Sequence, residues 1–534
     1  MAQRHEPVNR RQGSTAAWVA AAGIAALAAV PVIALAASAG GDGGLTLGAP
    51  YIARVLRFTV LQATLSALIA TALAIPLAHA LAKRQRFPGR ALLLKLFAVP
   101  LGLPQLVAVL GIIAVYGRQG ILNDILAPVG TAEMPSVFGL QGILLAHVFF
   151  NLPLAVRFIL TRLEAIPPEN WRLAASLGFR SREVFRHLKW PHMRMTLPGV
   201  FALIFMLCIT SFTVVLTLGG GPHATTLEVA IYQALRFDLD PALAARLAAL
   251  QIALCAGLLL ILQRFSMMVA MAPALRARAP RPDSGDRKGR LGDGLLILSG
   301  ALFVALPIAG VVIDGLKADF LRLLGEPLLW RAAGFSLVIA VSAAGLATLA
   351  AAALASGIAR SRGLKAQSLR ITGNLVLLVP PLILAAGWFL ILHRHLDPIA
   401  LSPYAVVVIN ALMALPFALA VIEPSFRISF QMHDRLAASL GLEGLARFRL
   451  VEWPALRSSL ALAALVAVLA SLGEFGVIAF FGSQDLVTLP LLLYQRIGSY
   501  RFNDAAGIAL LLLGLCLVLS WAIERRSPAS LRTS

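Results

Sequence analysis

The chain has 534 residues, 59% of them hydrophobic and only 13% charged, and its mean hydropathy is +0.84. A soluble domain is roughly 25% charged, so this composition excludes a water-soluble globular protein, and so apolar a chain is not disordered either. The net charge of +21 does not indicate nucleic acid, as it would in a soluble protein; here it reports which segments face which side of a membrane.

A bilayer core requires about 20 apolar residues per helix. Lipid leaves a spanning backbone only the helix or the closed barrel. Twelve apolar stretches meet that length, at 18–37, 59–81, 92–116, 137–160, 197–218, 243–262, 295–313, 335–358, 375–392, 405–421, 460–481 and 505–523. They predict an all-α integral membrane protein. The first stretch outruns the apolar core of a signal peptide and reads as a span. The third is interrupted by prolines and is open to being kinked or partly re-entrant. With the N-terminus in the cytoplasm, the cytoplasmic segments hold 35 lysines and arginines and the outer segments 11, the bias of the positive-inside rule. Both termini are then cytoplasmic, and the basic face suits anionic lipid headgroups. Cys208, Cys255 and Cys516 each sit in an apolar run and read as small buried residues, with no disulfide or zinc spacing.

The strongest signal is a duplication. Arg172-Leu173-Ala174-Ala175-Ser176-Leu177-Gly178 recurs letter for letter as Arg435-Leu436-Ala437-Ala438-Ser439-Leu440-Gly441, offset by 263. Trp190-Pro191 matches Trp453-Pro454, Phe185-Arg186 matches Phe448-Arg449, and Leu152-Pro153 matches Leu415-Pro416 in the same register. Ser211-Phe212 aligns with Glu474-Phe475, and Tyr232-Gln233 with Tyr494-Gln495. The chain therefore divides into a first half, 1–271, a Pro-, Arg- and Asp-rich cytoplasmic linker, 272–290, and a second half, 291–534. Six spans is an even number, so the halves are parallel repeats.

Both copies of the repeated motif fall in the cytoplasmic loop between the fourth and fifth spans of their half. Gly178 and Gly441 suit the left-handed position that ends a helix. Ser181 or Arg180 is placed to open a short second helix through Leu188, after which Pro191 starts the next segment. In the second copy Gly444 weakens the corresponding helix.

The alanines, the glycine, and the proline thirteen residues after it resemble the EAA loop of ABC-importer permeases. The resemblance covers nearly all of both halves and implies the type I importer permease fold, with about twelve spans. Both copies depart from the pattern in the same way, with arginine in place of the leading glutamate (Arg172, Arg435) and leucine in place of the first alanine (Leu173, Leu436). In that family the segment after the glycine docks on a cytoplasmic ATPase. The resemblance therefore assigns ATPase coupling to Arg172, Ala174, Gly178, Arg182, Phe185, Arg186 and Pro191, and to Arg435, Ala437, Gly441, Phe448, Arg449 and Pro454. Segments 180–187 and 443–450 are the implied coupling helices, and two of them imply two ATPase subunits. Nucleotide must come with those partners, because none of the six lysines follows a glycine as a phosphate-binding loop requires. The chain is thus expected to be a transport subunit with no catalytic residue and no cofactor, the ATP and Mg being held by the partner. His393 and His395 form the closest histidine pair and read as solvated rather than as a metal site.

Four further runs are more distinctive: Ala146–Pro153, with Asn151; Leu216–Thr226, with its Gly219-Gly220-Gly221-Pro222 turn; Ala230-Ile231-Tyr232-Gln233-Ala234-Leu235; and Tyr494-Gln495-Arg496-Ile497-Gly498-Ser499-Tyr500-Arg501. They resemble the fused permease of bacterial thiamine importers. That family takes thiamine and its phosphates from a periplasmic binding protein across the inner membrane. Glu474 lies in the eleventh span, where a carboxylate costs about 2.5–3.5 kcal/mol if it faces lipid. It either lines the pathway and favours a cation such as a thiazolium, or makes a structural contact within the bundle. Its counterpart is Ser211, and Tyr232 and Tyr494 complete the expected pathway set. The glycines at 219–221 and Gly482 serve either an outer gate or ordinary turns. Loops 236–241 and 497–504 carry both signs of charge and either dock the binding protein or are solvated ends. The alternatives to a thiamine permease are the fused ferric-iron permease, a twelve-span secondary transporter, and a membrane receptor or scaffold.

Overall fold

The computed structural model describes residues 12–38, 45–118, 120–126, 136–264, 287–377, 379–395, 398–442 and 444–526, and among these there is no strand. The first half contains α1 (Gln12–Ala37), α2 (Leu45–Lys83), α3 (Arg90–Leu96), α4 (Val99–Gly102), α5 (Gln105–Tyr116), α6 (Ile121–Leu126), α7 (Leu140–Glu164) and α8 (Pro168–Ser176). It continues through α9 (Ser181–Glu183), α10 (Trp190–Ile209), α11 (Thr213–Leu218), α12 (Leu227–Arg236) and α13 (Pro241–Arg264). The second half contains α14 (Arg287–Gly315), α15 (Phe320–Gly325), α16 (Pro327–Arg360), α17 (Leu364–Gly373), α18 (Pro381–His395) and α19 (Pro398–Ser439). It ends with α20 (Gly444–Arg447), α21 (Trp453–Leu472), α22 (Gly476–Phe481), α23 (Leu489–Gly498) and α24 (Phe502–Arg526). Most of the linker, 272–286, lies outside the described residues.

Eleven of the described helices are long and apolar enough to cross a membrane, and the shorter apolar helix Pro381–His393 occupies the remaining expected position. Every expected span thus has a helix, but several are divided. The stretch 92–116 is broken into α3, α4 and α5, with Leu103 extended just before Pro104, as proline dictates for the residue ahead of it. The stretch 375–392 is broken likewise ahead of Pro381. The spans expected at 197–218 and 460–481 are each cut into a long helix and a six-residue one, with breaks at 210–212 and 473–475.

The helices form two compact units that are not the two sequence halves. One gathers residues 1–43, 231–252 and 319–534, and the other 44–230 and 253–318. In the first unit α16, α19 and α21 pack on one another, and α1 lies against α16 and α18. Its centre is built of small residues: Ala343, Ala344, Ala347, Ala411, Ala414 and Ala467. In the second unit α2 packs on α7 and α10, and α14 lies against α5 and α2. The opening helix of each sequence half is therefore packed among helices of the other half.

Glycines make that exchange possible by letting backbones approach. A Cβ on Gly387 of α18 would stand 2.3 Å from the carbonyl oxygen of Pro31 in α1. A Cβ on Gly111 of α5 would stand 2.2 Å from the carbonyl oxygen of Pro307 in α14. The two contacts are equivalent, because Pro31 and Pro307 are as far apart in sequence as Gly111 and Gly387.

A second equivalent pair fixes α12 and α23. The buried Thr59 hydroxyl accepts the first N–H of α12, from Leu227, at 3.0 Å. The Ser336 hydroxyl accepts that of α23, from Leu489, at 2.7 Å. Each satisfies an amide that the start of a helix leaves without an internal partner.

Candidate functional site

The repeated loop takes nearly the same path in both copies. Helix α8 ends on Gly178 at φ +69°, and α19 ends at Ser439 ahead of Gly441 at φ +62°. Ala174 is buried, and its carbonyl accepts from the Phe179 N–H at 3.0 Å. Ala437 is buried too, and its carbonyl accepts from the Leu442 N–H at 2.9 Å. This six-to-one bond is the Schellman closure. It explains why a small residue stands at the alanine and a glycine four residues on.

The entries to the loop differ. Pro167 and Pro168 stop α7 at Glu164 and restart the chain as α8, since proline lacks the amide and blocks the preceding helical turn. Phe430 and Gln431 occupy those places in the second copy, and α19 runs unbroken for 42 residues through both span and loop.

Beyond the glycine the expected isolated short helix is not found. Arg180, rather than Ser181, is the N-cap, and its N–H donates to the Glu183 carboxylate at 2.7 Å. Helix α9 then passes through a π-helical turn, Val184–Lys189, straight into α10. The second copy repeats this, with α20 leading through the π turn Phe448–Glu452 into α21. Glu443, the expected start of that segment, lies outside the described residues. The reason for the π turn is Pro191 in one copy and Pro454 in the other. A proline removes an amide and crowds the carbonyl four residues back. Widening the turn by one residue relieves both, and the Trp190 N–H accordingly reaches Phe185 five residues back.

Arg172, Leu173, Leu177, Arg182 and Arg186 are exposed in the first copy, as are Leu436, Leu440 and Arg449 in the second. Phe185 is half-buried, its ring 5.2 Å from that of His79. Pro191 is half-buried and Pro454 exposed. Arg435 lies on α19 and Phe448 in the π turn; their side chains are outside those described. The two loops are held down differently. Trp171, Val184 and Lys189 are buried, the Lys189 ammonium 5.9 Å from the centre of the Trp171 ring. At the equivalent positions stand Asp434, Arg447 and Glu452. Arg447 pairs with Asp434 at 2.9 Å and with Glu452 at 3.2 Å, and Arg360 reaches Glu452 at 2.7 Å.

Three of the four expected pathway residues converge on α22. The Glu474 carboxylate accepts from the Val477 N–H in the first turn of that helix, at 3.3 Å. Tyr494 lies against Phe475, with ring centres 4.9 Å apart. Buried Tyr232 meets Phe480 edge-on at 5.2 Å. Ser211 occupies the equivalent break between α10 and α11 in the other unit, where it is buried. The structural contact weighed for Glu474 is thus present, and the same side chain also lines a cavity with Asn410, Phe417 and Ser471.

Gly220 and Gly221 have φ of +70° and +136°, so this is a turn that needs glycine. The turn borders a cavity of about 500 Å³, together with Phe58, Phe138 and His223. Gly482 serves packing instead, because a Cβ there would meet Leu491 at 2.4 Å. On the outer loops, the charges of 497–504 are engaged within the chain. Arg496 and Arg501 pair with Glu326, and Arg322 and Arg501 with Asp504. Loop 236–241 exposes Arg236 and Asp238, and the two loops also expose the apolar Phe237, Leu239 and Tyr500, the last two at positive φ (+52° and +58°). His393 stacks on Phe389 at 5.3 Å, and the His395 side chain is outside those described. All three cysteines are buried thiols.

Sequence reasoning did not find the buried polar group on α2, α7 and α10. Ser66 bonds His147 Nδ1 at 3.0 Å, Gln62 donates to the Cys208 carbonyl at 3.0 Å, and Asn151 approaches Cys208 Sγ at 3.6 Å. The polar residues are visible in the spans, but nothing in the sequence says which of them meet.

No family model matches the chain. Curated proteins do, over almost its full length. The thiamine transport system permease protein ThiP of Brucella abortus (strain 2308) is 47% identical over 519 residues, covering 96% of this chain and 95% of that protein. ThiP of Escherichia coli (strain K12) is 46% identical over 488 residues, covering 90% of each. ThiP of Haemophilus influenzae is 38% identical over 476 residues, covering 88% of each. Long apolar helices, a duplicated loop and this full-length similarity together show that the chain belongs to the family of thiamine transport system permeases.

Proposed function

We propose that this chain is the membrane-spanning permease of an importer for thiamine and its phosphates, energised by two copies of a separate cytoplasmic ATPase that hold the ATP and Mg. The observation that carries the reading is the pair of equivalent loops. Each presents two exposed leucines one helical turn apart, Leu173 with Leu177 and Leu436 with Leu440, beside exposed arginines. Isolated exposed leucines are ordinary, but the same apolar pair on both copies of a duplicated loop is what a symmetric partner would contact. Each loop also continues through a π turn into a spanning helix. A push on the loop is therefore delivered along α10 or α21 to the breaks at 210–212 and 473–475. Substrate arrives from a periplasmic binding protein that docks on the outer loops, where the exposed Phe237, Leu239 and Tyr500 offer apolar anchors. The chain then lies in a bacterial inner membrane with both termini cytoplasmic.

The whole-length relatives favour this over a ferric-iron permease. A duplicated loop of this kind is not needed by a secondary transporter. The test is reconstitution of the chain with its ATPase and binding protein in proteoliposomes. ATP-dependent thiamine uptake is expected. Replacing Leu173 and Leu436 together with aspartate is expected to release the ATPase and abolish uptake. Thiamine uptake that needs an ion gradient but no ATP would refute the reading.

A further inference from the structure

The break at 473–475 borders a cavity of about 190 Å³. Its lining is Asn410, Met413 and Phe417 of α19, Ala470 and Ser471 of α21, and Glu474 in the break itself. Asn410 is 4% exposed, and its Nδ2 donates to Ser471 Oγ at 2.9 Å. That bond orients the amide, and Asn410 Oδ1 has no hydrogen-bond partner. One buried acceptor therefore stands in the cavity wall without a donor, beside a carboxylate that accepts from the Val477 backbone amide. A buried acceptor without a partner is costly, and a carboxylate at membrane depth is costly unless it meets a cation or a water-filled space. A ligand that is both cationic and a hydrogen-bond donor relieves both.

The equivalent positions of the first half carry different residues. At the duplication offset the equivalents of these residues are His147, Phe150, Leu154, Leu207, Cys208 and Ser211. The acid is replaced by serine, and the Asn410–Ser471 pair by His147 and Cys208, which are tied instead to Ser66, Gln62 and Asn151. The duplicated scaffold has been made unequal at the point where a charged substrate would cross it.

We propose that this cavity is a transmembrane subsite for one cationic heteroaromatic ring, carried by the second half alone. This rests on the reading of the chain as a thiamine permease, and the ring is then the thiazolium. Glu474 faces its delocalised charge, Phe417 offers an aromatic surface to the cation, and Asn410 Oδ1 accepts from a donor on the ring's substituent. The volume fits a single ring, since a cavity of about 150 Å³ admits benzene. The second ring of the vitamin lies outside the cavity.

The test uses the complete transporter, with ATPase and binding protein, in proteoliposomes. Two probes are compared: thiamine, and its neutral isostere with thiophene in place of the thiazolium. Glu474→Gln keeps an oxygen for the Val477 amide while removing the charge. The selectivity for thiamine over the isostere is expected to fall about tenfold or more, the loss falling on thiamine alone. Ala470→Phe, which fills the cavity, is expected to stop thiamine uptake while ATP hydrolysis stimulated by the loaded binding protein persists. If both probes lose equally in Glu474→Gln, or if Ala470→Phe transports thiamine normally, the subsite is refuted while the permease reading stands. If the unaltered transporter carries no thiamine, the permease reading falls and the subsite with it.

Discussion

A Cβ added at Gly178 or Gly441 would meet nothing within 4 Å, yet both residues are held at positive φ. The demand on them is conformational rather than steric. A β-branched residue in the left-handed region costs roughly 1–2 kcal/mol, whereas asparagine tolerates that region. Gly178→Asn is therefore expected to retain thiamine uptake, and Gly178→Val to lose most of it while the protein still inserts. Uptake assays alongside membrane expression levels check this. Thr59 and Ser336 make a different kind of residue-scale demand. Removing either hydroxyl leaves a buried backbone N–H without its acceptor, at a cost of about 1–3 kcal/mol. Ser336→Ala is expected to lower the melting temperature of the purified protein, with Thr59→Val doing so by a similar amount. The loop glycines were legible in the sequence because φ restricts residue type. The two hydroxyls were not, because Ser and Thr in a span commonly bond their own helix, as Thr64, Thr161 and Thr59 itself do here, and nothing in the sequence marks the ones that also accept from another helix.

The helices themselves were readable from apolar length, and their breaks were only partly so. Proline marked the interruption ahead of α5, whereas the Pro167-Pro168 pair that ends α7 was not read as a helix stop. The breaks at Ser211 and Glu474 carry no proline or continuous polar run, so the hydropathy of 197–218 and 460–481 hid them. The same limit applied to the repeat. Its offset is 263 after the connection between α5 and α7, becoming 262 by Leu227, but 276 before that connection, so a single register misses the pairing of Pro31 with Pro307 and of Gly111 with Gly387. At those glycines the opposing atom is a backbone oxygen, which cannot move aside like a side chain. Overpacking of this kind costs typically about 1–3 kcal/mol. Gly111→Ala and Gly387→Ala are each expected to destabilise the protein and reduce its yield, measurable by thermal unfolding in detergent. Gly257→Ala, with nothing near its Cβ, is expected to be neutral.

At the scale of the molecule, composition and charge bias announced a membrane protein, and the recurring loop motif announced its duplication. They gave no sign that the packing units would ignore the boundary between the copies. Because α1 packs on α16 and α18, and α14 on α5 and α2, each half lacks a helix when the other is absent. Residues 1–271 and 291–534 expressed as two chains are expected to co-purify and restore uptake together, while either alone is degraded. Recovery of a stable, monodisperse single half would count against this.

The exchange of helices also sets a timetable for biosynthesis. Helix α1 leaves the ribosome 290 residues before α16 begins. At about 5–20 residues per second, it waits some 15–60 s in the bilayer before its permanent neighbour exists. During that interval its alanine-rich surface, with Ala17, Ala21 and Ala28 destined for burial, is covered only by lipid or by an insertion chaperone. The order of synthesis thus makes the earliest helix among the last to be assembled, and a translational pause before α16 lengthens its exposure to membrane proteases.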